Sequence, residues 1–164
     1  MGGDQFNGPD KTTLNVLILY EDWTTGLCAK KTFDSLANEL GGKYEFNHCL
    51  WQFDLLGDKH CEKAVNREAV DADMVVVSAH GNSELPLWVK AWFEKWLLQK
   101  RKASGALIGL FDRDAESFDC REVIRSYLQD AAIRGKMSFF TQTVTPSSEQ
   151  QDYTYSYDEP ANDI

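Results

Sequence analysis

Three groups of polar residues follow three hydrophobic runs, and their types suit anion, cation or acid–base chemistry. Glu21, Asp22, Trp23, Thr24, Thr25 and Gly26 come directly after LNVLILY at 14–20. Ser78, His80, Gly81 and Asn82 come after Val75, Val76 and Val77, and Asp112, Arg113 and Asp114 after ALIGLF at 106–111. At the start of a helix, the hydroxyls and backbone N–H groups of Thr24, Thr25 and Gly26 can receive an anion. Glu21 and Asp22 are oxygen donors of the kind that suit Mg²⁺. Ser78 and His80, two residues apart, point the same way on an extended strand. With Glu84 or the Asp112/Asp114 pair they offer the residue types of hydrolysis or group transfer. That chemistry needs nucleophile, base and orienting group to converge at hydrogen-bond distance. A lone Ser-x-His does not secure such convergence, so no catalytic residue is assigned, and His80 is expected to be satisfied by backbone hydrogen bonds in a loop. The ligand-binding candidates are Thr24, Thr25, Gly26, Ser78, His80, Gly81, Asn82 and Asp112. Glu21 and Asp22 are the only cation candidates. His48-Cys49 and His60-Cys61 are adjacent pairs without the spacing that lets two side chains on one element face an ion.

These groups reach one another only if the elements between them form a sheet. LNVLILY is almost continuously apolar, as a central parallel strand is. A helix follows, capped by Thr24 or Thr25, with Phe33, Leu36, Ala37 and Leu40 at helical spacing and Gly41-Gly42 at its end. Residues 44–51 alternate, with Tyr44, Phe46, His48 and Leu50 on one face, which predicts a strand at or near a sheet edge. A weakly amphipathic helix is expected over about 59–70 and a third strand over 74–79. Pro86 suits the first turn of the next helix, where its missing N–H costs nothing. In that helix Trp88, Trp92 and Trp96 recur every fourth residue, and Lys100-Arg101-Lys102 complement its negative pole. A fourth strand over 106–111 and a helix begun by the capping-box spacing of Asp119 and Glu122 precede Gly135 and a fifth strand over 137–141.

Strict alternation of strand and helix implies right-handed crossovers and a mainly parallel sheet. The expected fold is α/β: a three-layer, flavodoxin-like sandwich around a five-stranded parallel sheet of order 2-1-3-4-5. It spans 14–145, after a flexible N-terminus over 1–13 and before an acidic, disordered tail over 146–164.

At 164 residues the chain is one domain's length. Its formal net charge of −9 argues against nucleic acid or an anionic membrane as the main partner. Residues 147–164 contribute −5 of that charge and contain no Lys or Arg, leaving the body at −4. No apolar run approaches the roughly 20 residues of a membrane span. The opening MGGDQFNGPDKTT has neither a basic nor an apolar signal region, and Phe6 stands where myristoylation wants Ser or Thr. The four cysteines show no CxxC spacing, which fits reduced, buried thiols and a cytoplasmic location.

The loop Y-E-D-W-T-T-G-L-C resembles the first loop of flavodoxins, aromatic-x-S/T-x-T-G-x-T. Thr25 and Gly26 match, Trp23 replaces a small hydroxyl residue, and Cys28 replaces the last threonine. S-A-H-G-N-S-E-L-P-L-W-V-K is similar to the flavodoxin loop over the isoalloxazine, with Gly81 and Pro86 in place and the usual aromatic missing. The resemblance covers roughly 14–141 and implies FMN, with its phosphate at Thr24-Thr25-Gly26. Glu21-Asp22 also resembles the acidic pair of response-regulator receiver domains. A receiver, however, needs an aspartate near Ser78 and a lysine at the end of strand 5, where MSFFT stands. The reading is therefore a non-catalytic, receiver-like or flavodoxin-like module that acts in signalling or regulation through protein contacts. It has no resident cofactor, although an anion or small ligand at the strand ends stays open; the alternative is an FMN-binding electron carrier or reductase. The expected contact surface, for a protein partner or a homodimer, is the Trp88/Trp92/Trp96 helix, because tryptophan is enriched at interfaces.

Overall fold

The computed structural model describes residues 12–112 and 118–144, and side chains from 121 onward in the second stretch. Strand β1 (Thr12–Tyr20) leads into helix α1 (Trp23–Leu40), followed by β2 (Tyr44–Gln52) and a short 3-10 turn (Phe53–Gly57). Helix α2 (Glu62–Val70), β3 (Met74–Ala79), α3 (Leu87–Gln99), β4 (Ala106–Asp112), α4 (Phe118–Arg134) and β5 (Ser138–Val144) complete the order. The five strands form one sheet in the order β2-β1-β3-β4-β5, every pair parallel. Four helical crossovers on a parallel sheet of that order make a flavodoxin-like fold.

The expected elements are present, with shifted ends. β1 begins at Thr12, inside the stretch assigned to a flexible N-terminus, because Thr12 and Thr13 pair with Tyr44 and Glu45 of β2. α2 begins at Glu62 rather than near Lys59, since the 3-10 turn and its exit occupy the preceding residues. Pro86 is the N-cap of α3, and its carbonyl accepts the N–H groups of Val89 and Lys90. β5 runs on to Val144, paired residue for residue with β4. The acidic tail and Asp119 of the expected capping box lie outside the described side chains. Glu122, its other member, accepts a hydrogen bond from Arg125 Nε at 3.1 Å.

β1 and β3 fill the centre: Leu17, Ile18, Leu19 and Val77 are fully buried. Burying such a side chain contributes about 1.5–3 kcal/mol, so this pair of strands anchors the fold. The two faces of the sheet are covered unequally. On one, Leu17, Leu19, Val75 and Val77 meet Val65 and Ala69 of α2, Val89, Phe93 and Trp96 of α3, and Ile124 and Leu128 of α4. On the other, Val16, Ile18, Val76 and Leu110 meet only Ala29 and Phe33 of α1. α1 packs on β1, β2 and β3, and no other described helix joins it on that face. Ile108 there is half-buried, and Phe140, its register partner on β5, is 56% exposed.

The tryptophans of α3 are mostly core. Trp92 is 5% and Trp96 3% exposed, their rings stacked at 5.7 Å. Both indole N–H groups are satisfied inside, Trp92 on Asn66 Oδ1 at 3.2 Å and Trp96 on the Ala69 carbonyl at 2.8 Å. Trp88 stays 45% exposed while donating to the Phe53 carbonyl at 3.0 Å. A stripe every fourth residue drifts around a helix only slowly, and α2 lying beside α3 covers the width that the sheet alone does not.

Candidate functional site

The carboxyl ends of β1, β3 and β4 lie side by side and bring Glu21, Asp22, Ser78, His80 and Asp112 together. His80, just past β3, stands between two carboxylates. Its Nε2 is 2.7 Å from Asp22 Oδ2, and its Nδ1 makes a short hydrogen bond to Asp112 Oδ2. The His80 backbone N–H donates to Glu21 Oε1 at 2.9 Å. The backbone satisfaction expected for this histidine is therefore replaced by a side-chain clasp that ties three loops. Burial alone lowers the imidazole's pKa, but the hydrogen bonds and charges of Asp112 and Asp22 outweigh it and raise the value to about 9. Near neutral pH the ring is an imidazolium with both N–H groups engaged.

Asp22, not Thr24 or Thr25, caps α1. Asp22 Oδ1 accepts the Thr25 N–H at 3.1 Å, and Thr25 Oγ1 accepts the N–H groups of Asp22 and Glu21, each at 2.9 Å. An aspartate three residues before a threonine closes this reciprocal capping box as well as the usual serine–glutamate pair does. Partial burial would raise the Asp22 pKa, but the Thr25 N–H and His80 together lower it. Thr25 is 1% exposed and Thr24 half-buried. Gly26 is required by contact: a Cβ there would lie 2.8 Å from Tyr20 Cδ2.

Ser78 is also buried, at 1% exposure, and its hydroxyl donates to the Thr25 carbonyl at 2.9 Å. Its hydrogen bond runs to α1 and the ring nitrogens of His80 run to carboxylates, so the two do not form a nucleophile–base pair. Gly81 has φ 86°, the left-handed conformation glycine adopts freely, and it turns the loop away after His80. Asn82 is exposed and has no side-chain partner among the described residues. Arg113 and Asp114 lie outside the described residues.

Asp22 and Asp112 face one imidazolium, Glu21 accepts the backbone N–H of the same residue, and the Arg121 guanidinium reaches the Asp112 carbonyl at 3.5 Å. Among the described residues no group of three or more His, Cys, Asp or Glu side chains is arranged to hold a metal ion. Beside the clasp, Glu21, Phe53, Ser83, Glu84 and Pro86 line a recess of about 50 Å³. That is room for about one or two waters. Three apolar side chains stand exposed at the first residues of the helices on this edge: Trp23 at 75%, Leu87 at 80% and Trp88 at 45%. The partnership of His80 with Asp22 was not foreseen from the sequence. The available signal was that both follow strands that must be neighbours in the order 2-1-3-4-5.

No protein family's sequence profile matches the chain, and no curated protein matches it in sequence. Among solved structures it is similar to a short-chain flavodoxin associated with a bacterial microcompartment. The two share 14% identity over 82% of this chain and 86% of that one, with a TM-score of 0.49. What places this chain among flavodoxin-like proteins is its own strand order. No described helix is long and apolar enough to cross a membrane.

Proposed function

We propose that this chain is a non-catalytic, flavodoxin-like module that acts in signalling or regulation through protein contacts. The observation that carries this reading is that Asp22, Thr25, Ser78, His80 and Asp112 at the strand ends are bonded to one another. The N-terminus of α1, where a flavin phosphate would be received, presents the carboxylates of Glu21 and Asp22, and its Thr25 hydroxyl and N–H are engaged with Asp22. A phosphate dianion placed there would meet like charge and find the Thr25 hydroxyl and N–H already bonded, which disfavours FMN at this helix start. His80, protonated and bonded at both ring nitrogens, is no general base near neutral pH. The exposed Trp23, Leu87 and Trp88 on the same edge support contact with another protein, with tryptophan the residue type interfaces favour. Burial of Trp92 and Trp96 leaves Trp88 as the exposed member of the tryptophan stripe.

Two measurements test the proposal. Titration of the folded protein with FMN, followed by flavin fluorescence, is expected to show no saturable change. Stoichiometric quenching would overturn the proposal in favour of a flavin carrier. A photo-crosslinking residue at position 23, introduced in the cells that make the protein, is expected to trap one defined protein, and Leu87→Ser to abolish the adduct. Background labelling alone, unchanged by Leu87→Ser, would overturn it.

A further inference from the structure

A second polar cleft lies at the opposite, amino-terminal edge of the sheet, where β1 and β2 pass under the end of α2. It encloses about 240 Å³, lined by Asn15, Asn47, Cys49, Arg67, Glu68 and Asp71 among others. At about 30 Å³ per water, that is space for about eight non-hydrogen atoms. His48 belongs to the lining, but its ring turns to Phe33 on the α1 face, 4.7 Å away, so it meets the cleft through its backbone.

The side chains of the cleft are partly organised and partly free. Asn47 Nδ2 donates to Asn15 Oδ1 at 3.2 Å, and Asn15 Nδ2 donates to the Asp71 carbonyl at 3.2 Å. The two amides are thereby held in fixed orientation. Glu68 accepts the Trp51 indole N–H on Oε1 at 2.8 Å, which sets its carboxylate at the wall beside the Cys49 thiol. Asp71 Oδ1 has only a loose contact, 3.7 Å from Arg101 Nη1. Arg67 is exposed and has no hydrogen-bond or ion-pair partner among the described residues. Burial, followed by the neighbouring Glu68, pushes the Cys49 thiol up to about 12, so the floor of the cleft is a neutral thiol.

A guanidinium unpaired among the described residues, two carboxylates and two fixed amides around so small a volume match a ligand carrying both charges. We infer that this cleft binds a small zwitterion of the α-amino-acid type, its carboxylate on Arg67, its ammonium between Glu68 and Asp71, and Asn47 beside it. A guanidinium binds a carboxylate with two parallel hydrogen bonds, which gives the carboxylate end its orientation. The volume holds glycine, alanine, serine or threonine whole. This site is separate from the His80 clasp, and it stands or falls independently of the proposed function.

Amide NMR of the full chain, titrated with glycine and L-serine, reads the cleft directly. The expected result is saturable shifts at Asn15, Asn47 and Cys49, with acetate alone and ethylamine alone binding at least about tenfold more weakly. Arg67→Gln, on the exposed side of α2, is expected to weaken serine binding by about tenfold or more, and Lys63→Gln on the same helix to leave it unchanged. No saturable shift with either amino acid would overturn the inference, as would acetate matching serine or affinity indifferent to Arg67→Gln.

Discussion

His80 donates both ring N–H groups to carboxylates that arrive from the ends of two other strands, and this arrangement gives its protonation a structural consequence. Its folded pKa of about 9 lies above the ordinary 6.5. The stabilisation is therefore fully present below about pH 6.5 and is lost as the pH rises through about 9. Asp22 has the opposite sign: its depressed pKa stabilises the fold above the ordinary 3.8, and that contribution disappears as the pH falls through the lowered value. The His80 side chain is 22% exposed, so solvent screening cuts the contribution to about 1–2 kcal/mol. Urea unfolding at pH 6 and pH 10 is expected to show that difference in the native protein and to lose most of it in His80→Gln. A direct ¹⁵N titration of the imidazole is expected to fall from about 9 toward 6.5 in Asp112→Asn. At this scale the sequence was half legible. It named Asp22, His80 and Asp112 separately, but a capping aspartate and a clamped imidazole are contacts across long stretches of chain that no local spacing encodes.

Helix α3 shows what spacing does and does not reveal. Every-fourth tryptophans marked the helix correctly, yet which of them faces solvent depends on α2, a neighbour chosen by topology. Trp96→Ala removes a stacked, buried ring and its hydrogen bond to the Ala69 carbonyl, so it is expected to cost about 3–5 kcal/mol in chemical denaturation. Trp88→Ala, at a half-exposed ring, is expected to cost well under half as much. α3 is also pinned to α4 by Glu94, which accepts Arg134 at 2.7 and 3.0 Å and Tyr127 Oη at 2.8 Å. The Arg134 and Tyr127 hydrogen bonds hold the Glu94 carboxyl down at about 2. The pin lies at the surface, so Glu94→Gln is expected to lower stability by less than about 1 kcal/mol. The boundaries that local pattern misplaced share one physical cause. The 3-10 turn after β2 and the extra length of β5 are set by what they pack on or pair with: Phe53 and Leu56 join the core, and β5 follows the ladder of β4.

For the molecule as a whole, the strand order was readable because continuous apolar strands alternate with helices, and few topologies accommodate that. The distribution of helices follows from the same rule, since right-handed crossovers in the order 2-1-3-4-5 send α1 to one face and α2, α3 and α4 to the other. That uneven cover has a consequence in time as well as space. The three-helix face encloses the backs of β1, β3 and β4, whereas β5 is an edge strand whose other face has no described helix above it and whose Phe140 stands largely in water. Opening β5 away from β4 exposes Val144 and the half-buried Phe139, while opening β1 from β3 exposes the centre of the core. Amide hydrogens are thus expected to exchange in two populations. Those of β5 should go in minutes through a local peeling motion, and those of β1 and β3 only when the entire chain unfolds. Deuterium uptake followed strand by strand would read this order, and equal protection of β5 and β1 would show that something else shields that edge. The edge of the sheet that no described helix covers is then the place where the protein's clock runs fastest.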